Sequence, residues 1–397
     1  MRLSSAAFLR TVVFGMSNSS PGHNPPAALP VSKPGAPFPS ATSRFQKREI
    51  RWWTSLVWPV AGLALLLVFN LLFTPGFFHV EVRDGRLYGV LIDILNHGSK
   101  VMLLALGMAL VIATGGVDLS VGAVMAIAGA VAAQLINKPN IPFPAVIACA
   151  LAVAVAAGCW NGFLVGTAKV QPIVATLILM VAGRGVAQLI TDGQIITFTD
   201  ARLTYIGNGS FLALPFPVIL SLTMLVLTTL LTRRTAVGLF IESVGDNQVA
   251  SVYAGVHSGT VKFLVYVFSG LCAGLAGLVA SSNIRCADSN HAGLFLELDA
   301  ILAVVVGGTS LAGGRFYLAG AIVGALFIQT LTTTMYMRNV SADVAPVPKA
   351  LAILAVCLLQ SPVLRHKFTA LFPGRRGGAN ARNSKELPSK PAGEFPQ

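Results

Sequence analysis

The chain has 397 residues, 54% hydrophobic and only 11% charged, with a mean hydropathy of +0.74 and a formal net charge of +13. A soluble domain carries about 25% charged residues, so this chain cannot cover a globular surface with polar groups. That excludes a soluble enzyme, a disordered protein and a secreted disulfide scaffold.

Apolar segments in lipid must pair their backbone groups internally, so the expected class is all-α, a polytopic integral membrane protein. The positive charge gathers at the two ends, where residues 1–51 and 365–397 each hold seven Lys/Arg. Basic ends on a hydrophobic body form a positive-inside pattern. They lack the aromatic interleaving of a nucleic-acid surface, so no nucleic-acid partner is expected. Cys149, Cys159, Cys272, Cys286 and Cys357 show no C-x-x-C spacing and suggest neither a disulfide framework nor a zinc site. No metal site is expected.

In chain order, the first sixteen residues carry a short apolar run that Arg10 interrupts, which reads as an uncleaved extension or a start at Met16 rather than a signal peptide. Residues 17–43 are rich in Pro, Ser and Gly. The expected organisation is a disordered basic tail over 1–51, a membrane domain over 52–364 and a second disordered basic tail over 365–397. Within the membrane domain about ten apolar stretches approach the ~20 residues needed to cross the hydrocarbon core. They fall near 55–74, 95–114, 118–136, 143–166, 172–191, 213–232, 260–281, 297–311, 316–334 and 346–364. Gly-rich turns divide the second from the third and the eighth from the ninth.

An even number of spans puts both termini on one side. Assigning that side to the cytoplasm gives nineteen inner Lys/Arg against eight outer ones, with Arg184 inside a span. The runs at 111–131 and 304–326 echo one another: apolar residues, Gly-Gly, a short polar turn, then a helix rich in small residues. Such paired interruptions point to a transport pathway, although Gly-rich turns also recur by composition alone.

Charges and amides inside spans are costly and therefore informative. Asp118, after Gly115-Gly116, reads with Ser120 as a helix cap, with contact to cargo the second reading. Arg184 lies between Gly183 and Gly185, with Gln188 one turn on, and Glu297 or Asp299 is its expected counter-charge. Asn161 and Gln171 offer hydrogen bonds suited to a hydroxyl-rich solute or to helix pairing. Over 232–262, Asp246 can cap a short helix that Gly255 ends in the left-handed conformation. Val249, Val252, Tyr253 and Val256 give that helix an apolar face, for the bilayer surface or for a groove on a partner. No G-x-x-x-x-G-K-S/T, G-x-S-x-G or H-E-x-x-H run is present. Uphill transport would therefore draw on an ion gradient or a separate ATPase.

GMALVIATGGVDLSVGAVMAIAGA, WNGFLVG, QPIVATLILMVAGRGVAQLIT and ELDAILAVVVGGTSLAGGRF together resemble the permease subunits of sugar-importing ABC transporters, the ribose/xylose/galactofuranose group. VAGRGVAQLITDGQIITF and IRCADSNHAGLFLELDA look most like the galactofuranose type. The resemblance covers roughly residues 52–364. It implies a permease of the bacterial inner membrane, with no enzymatic activity or cofactor of its own. Its partners would be a second permease subunit, identical or different, a cytoplasmic ATPase that binds the ATP, and a periplasmic sugar-binding protein. The family's inner-side motif maps onto Gly245, Asn247, Ala250 and Gly255, with Ser251 where a second Ala is usual. The implied ATPase-coupling loop also takes in Arg233, Arg234 and Glu242. A stand-alone ion-coupled transporter or facilitator remains the alternative.

Overall fold

The computed structural model describes residues 41–360 except 84, 342, 343 and 345. The tail expectations for 1–40 and 365–397 lie outside the described residues. The elements are α1 Ala41–Phe73, a β1–β2 hairpin (Glu81–Arg83, Arg86–Tyr88), α2 Val90–Ala113, α3 Val121–Ile136, α4 Phe143–Gly162 and α5 Pro172–Ile190. There follow β3 Ile196–Thr197, α6 Ala201–Asn208, a β4–β5 hairpin (Ser210–Phe211, Leu214–Pro215), α7 Phe216–Arg234, α8 Val237–Asp246 and α9 Gln248–Tyr253. The chain continues with α10 Ser258–Ile284, β6 Cys286–Ala287, α11 Leu296–Val306, α12 Leu318–Met337 and α13 Pro346–Gln360. The unit from Glu49 onward contains all but the start of α1.

Seven of these helices are long and apolar enough to cross a membrane: α1, α2, α4, α5, α7, α10 and α12. Where α4 ends, a π-helical turn over Phe163–Thr167 extends it. The stretches expected at 118–136, 297–311 and 346–364 are shorter helices in the described residues. At 1.5 Å per residue, the 11 residues of α11 cover about 16 Å, half of a ~30 Å core. Hydropathy reads composition; it does not see that Gly293 and Gly307-Gly308 interrupt the helical hydrogen-bond ladder. Lys100, counted with the outer segments, lies inside α2.

Helix α2 is the centre, with 78% of its spanning window buried against 11% for α1. Leu103, Leu104, Leu106, Met108 and Ile112 are almost wholly enclosed. Helix α10 packs on α2, α3 and α4. Its seam with α4 and the π-helical turn is built on small residues: Ala154 and Gly158 meet Gly270, Ala154 also meets Gly274, Gly166 meets Gly259, and Gly162 lies against Phe263. A methyl on Gly158 would lie 2.6 Å from the Tyr266 carbonyl oxygen, so only glycine permits this approach. Helix α1 docks through buried Asn70, whose Nδ2 donates to Thr334 Oγ1 of α12 at 2.8 Å.

The short strands lie at the end of the bundle away from α8. There β3 pairs antiparallel with β6, Ile196 opposite Ala287 and Thr197 opposite Cys286.

Candidate translocation and coupling site

Helix α8 carries an amphipathic pattern that fixes its orientation. Gly238, Ile241 and Val244 are buried, whereas Leu239 and Phe240 are exposed. At its end, an added methyl on Gly245 would fall 1.8 Å from the Ala113 carbonyl oxygen and 2.5 Å from the Gly314 amide nitrogen. Ala113 is the last residue of α2, and the Gly314 amide donates to its carbonyl at 2.9 Å. Gly313 and Gly314 have φ of +86° and +82°, a left-handed conformation that glycine adopts at little cost. The two Gly-rich interruptions that echo one another in sequence thus meet, and the end of α8 closes over their junction.

Asn247 then caps α9: its Oδ1 accepts from the Ala250 amide at 2.9 Å. This corrects the expectation that Asp246 is the cap; Asp246 is the last residue of α8. Gly255 does take the left-handed conformation, with φ +85°. Ser251 is buried and donates to the Asn247 carbonyl, while Lys262 Nζ donates to Gln248 Oε1 at 2.7 Å. These bonds hold α9 by its polar side. Val249, Val252 and Tyr253 point outward, Tyr253 with 88% of its surface accessible. Arg233 pairs with Glu242 at 3.6 Å, donates to the Phe316 carbonyl and lies over the Phe316 ring. Arg234 is exposed.

Asp118 stands in the segment joining α2 to α3 and is buried. Its Oδ1 accepts from the Ser120 amide and hydroxyl, and its Oδ2 accepts from Ser269 Oγ of α10 at 2.8 Å. Asn161 of α4 donates to Ser120 Oγ at 2.8 Å. Thr176 of α5 and Tyr266 of α10 both donate to the Val117 carbonyl. The 117–120 turn is thus tied to three helices. Ser120 stands at the cap position of α3 without a side-chain cap bond, and Asp118 accepts from Ser120 and Ser269 rather than from an α3 amide, which corrects the reading of the pair as a helix cap. Gln171 precedes Pro172 at the start of α5 and is exposed.

A further non-helical segment, residues 285–295, joins α10 to α11. Arg184 of α5 donates from Nη1 to the carbonyls of Ser289 and Ala292. Gln188 donates to Asn290 Oδ1 at 2.7 Å, and Thr191 shares a hydrogen bond with Ser289 at 2.7 Å. Gln188 and Thr191 stand at the Ile190 end of α5 and Arg184 lies six residues, about 9 Å, inside it, so these bonds fold the 288–292 segment back against that end of the helix. Beyond it, Gly293 lies against Gly122 at the start of α3, with Glu297 beside it. Phe295 has φ +63°, an uncommon conformation for a bulky residue and one that concentrates at functional sites. Among the described residues neither expected counter-charge makes a contact ion pair with Arg184, although Glu297 is close enough to act on it electrostatically; Asp299 pairs with Lys349 at 2.7 Å, and Arg184 donates to backbone carbonyls. Asn290 and His291 remain exposed beside that end of α5.

The structure therefore brings Asp118 together with Asn161, Arg184 with Gln188, and Gly245 with both interruptions. Sequence reading missed Ser269, Tyr266 and Ser289. Each is a lone polar residue whose partner lies about 100 or more positions away.

Residues 90–359 match the family model described as branched-chain amino acid transport system / permease component. The chain belongs to this family. Among its relatives, this permease is 52% identical over 330 residues to the galactofuranose transporter permease protein YtfT of Escherichia coli, covering 83% of this chain and 95% of that one. It is 40% identical to the fructose import permease protein FruF of Bifidobacterium longum, covering 81% and 92% respectively. It is 34% identical to the ribose import permease protein RbsC of Haemophilus influenzae, covering 75% and 90%. No solved structure matches the chain significantly. The permease is a multi-pass membrane transporter subunit, not an enzyme.

Proposed function

We propose that this permease forms the translocation path of an ATP-binding cassette importer for a monosaccharide, galactofuranose first, with ribose- or xylose-like sugars as possible alternatives. The host membrane is the bacterial inner membrane, with both termini cytoplasmic. The relatives named for sugar import support the cargo class, and membership in a family of permease components favours a partnered machine over a stand-alone ion-coupled carrier.

The observation that carries the mechanism is the contact of Gly245 with Ala113 and Gly314. The outward apolar face of α9 is the docking surface for a cytoplasmic ATPase, which binds the ATP. A push on α8–α9 is delivered through backbone contact to both interruptions at once, because no flexible side chain intervenes. Arg233, paired with Glu242 and stacked on Phe316, ties α7 to the same turn. Gln188, Asn290 and His291 are too polar for lipid. They line the sugar path, which a second permease subunit encloses. Glu297 and Asp299 hold the deep end of α11, and a periplasmic binding protein supplies the sugar.

The test is reconstitution in liposomes with labelled galactofuranose. Uptake is expected only when the ATPase subunit, ATP and the binding protein are all present. Uptake by the permease alone overturns the reading.

A further inference from the structure

At the end of the bundle away from Gly245, a cleft of about 580 Å³ opens between α4, α7 and α10, with α6 along its mouth. Phe143 and Ile147 form one wall, Phe216 and Leu220 the opposite wall, and Leu275 and Leu278 the floor. Leu275 lies nine residues before the end of α10, about 13 Å below it. The cleft therefore starts where the helices begin and descends into the hydrocarbon layer.

Its walls offer almost nothing to a hydroxyl-rich solute. Taking one methylene as roughly one water's share of liquid volume, ~30 Å³, the cleft holds about the bulk of one acyl chain. The mouth is different. Arg202 lines it and lies over the Phe143 ring, 5.2 Å from the centroid. Its Nη2 is 2.9 Å from Asp200 Oδ2, and its side chain is 64% exposed. The hydrogen bond from Arg202 holds the Asp200 carboxyl below its usual range, so both groups are ionised at neutral pH. An apolar slot is thus topped by one cation and one anion side by side, with no net charge.

We propose that this cleft binds one acyl chain of a zwitterionic phospholipid, with the phosphate against Arg202 and the amine against Asp200. This inference is independent of the transported sugar.

Native mass spectrometry of the full chain, extracted in mild detergent after exposure to vesicles of equal phosphatidylethanolamine and phosphatidylglycerol, tests it. One phosphatidylethanolamine per chain is expected to survive in the wild type. Arg202→Gln should lower its occupancy at least tenfold, and Leu220→Trp, which fills the cleft, should abolish it. Ile147→Trp serves if Leu220→Trp does not elute as a single folded species. Equal retention in wild type and variants overturns the proposal, and so does a wild-type preference for phosphatidylglycerol. Disulfide capture of a second copy through Ile147→Cys, at the yield of an established interface, assigns the cleft to another chain and also overturns it.

Discussion

The amide of Gly314 donates to the carbonyl of Ala113 at 2.9 Å, and Gly245 lies against both residues without a side chain to separate them. Two chain interruptions some 200 residues apart and the end of a surface helix thus share one backbone junction.

Gly245→Val is expected to abolish sugar uptake while the protein remains in the membrane at near-normal abundance. Even Gly245→Ala should reduce uptake more than tenfold, because the clash is with a backbone oxygen that cannot rotate away. Uptake assays beside membrane immunoblots check this. Normal uptake by Gly245→Val would remove the junction from the mechanism.

Asn247→Ala removes the cap of α9, which costs about 1 kcal/mol. Faster proteolysis across 247–255 and weaker ATPase co-purification should follow. Asn247→Asp and Asn247→Ser, which still accept from the Ala250 amide, should behave nearly as wild type.

Val249→Asp with Tyr253→Asp changes only outward side chains. The double variant should insert normally and lose the ATPase in pull-down. Retention of the ATPase would mean that it docks elsewhere.

Arg184→Met leaves the Ser289 and Ala292 carbonyls without their donor. Uptake should fall at least tenfold, and a cysteine placed at Asn290 should change its labelling rate with water-soluble maleimide. Arg184→Lys should recover part of the activity, since one ammonium cannot reproduce the guanidinium's reach.

Asp118→Ala strips the acceptor from Ser120 and Ser269, each loss being worth about 1–3 kcal/mol when buried. The detergent-purified variant should melt at a clearly lower temperature than wild type. Asp118→Asn should lie between them.

The class of fold was legible because lipid permits few backbone solutions, and the Gly-Gly pairs marked both interruptions. The family resemblance marked the inner loop through Gly245, Asn247, Ala250 and Gly255, but which residue capped α9 turned on backbone geometry: Asn247 sits where its Oδ1 reaches the Ala250 amide, and Asp246 ends α8. The partners of Arg184 were hidden for a different reason. They are carbonyl oxygens, and every residue has one, so no pattern of side chains announces them. Ser269 was hidden by its ordinariness, one small polar residue in a long helix until Asp118 is placed beside it.

The glycine–alanine seam between α4 and α10 has a mechanical corollary. With backbones in direct contact and almost no side chains to repack, the two helices have no second arrangement to slide into, so they travel as a strut. The hinges of the transport cycle then belong to residues 114–116, ahead of the tethered 117–120 turn, and to the 307–317 turn, and probes that report distance across α4 and α10 should stay silent while those segments move.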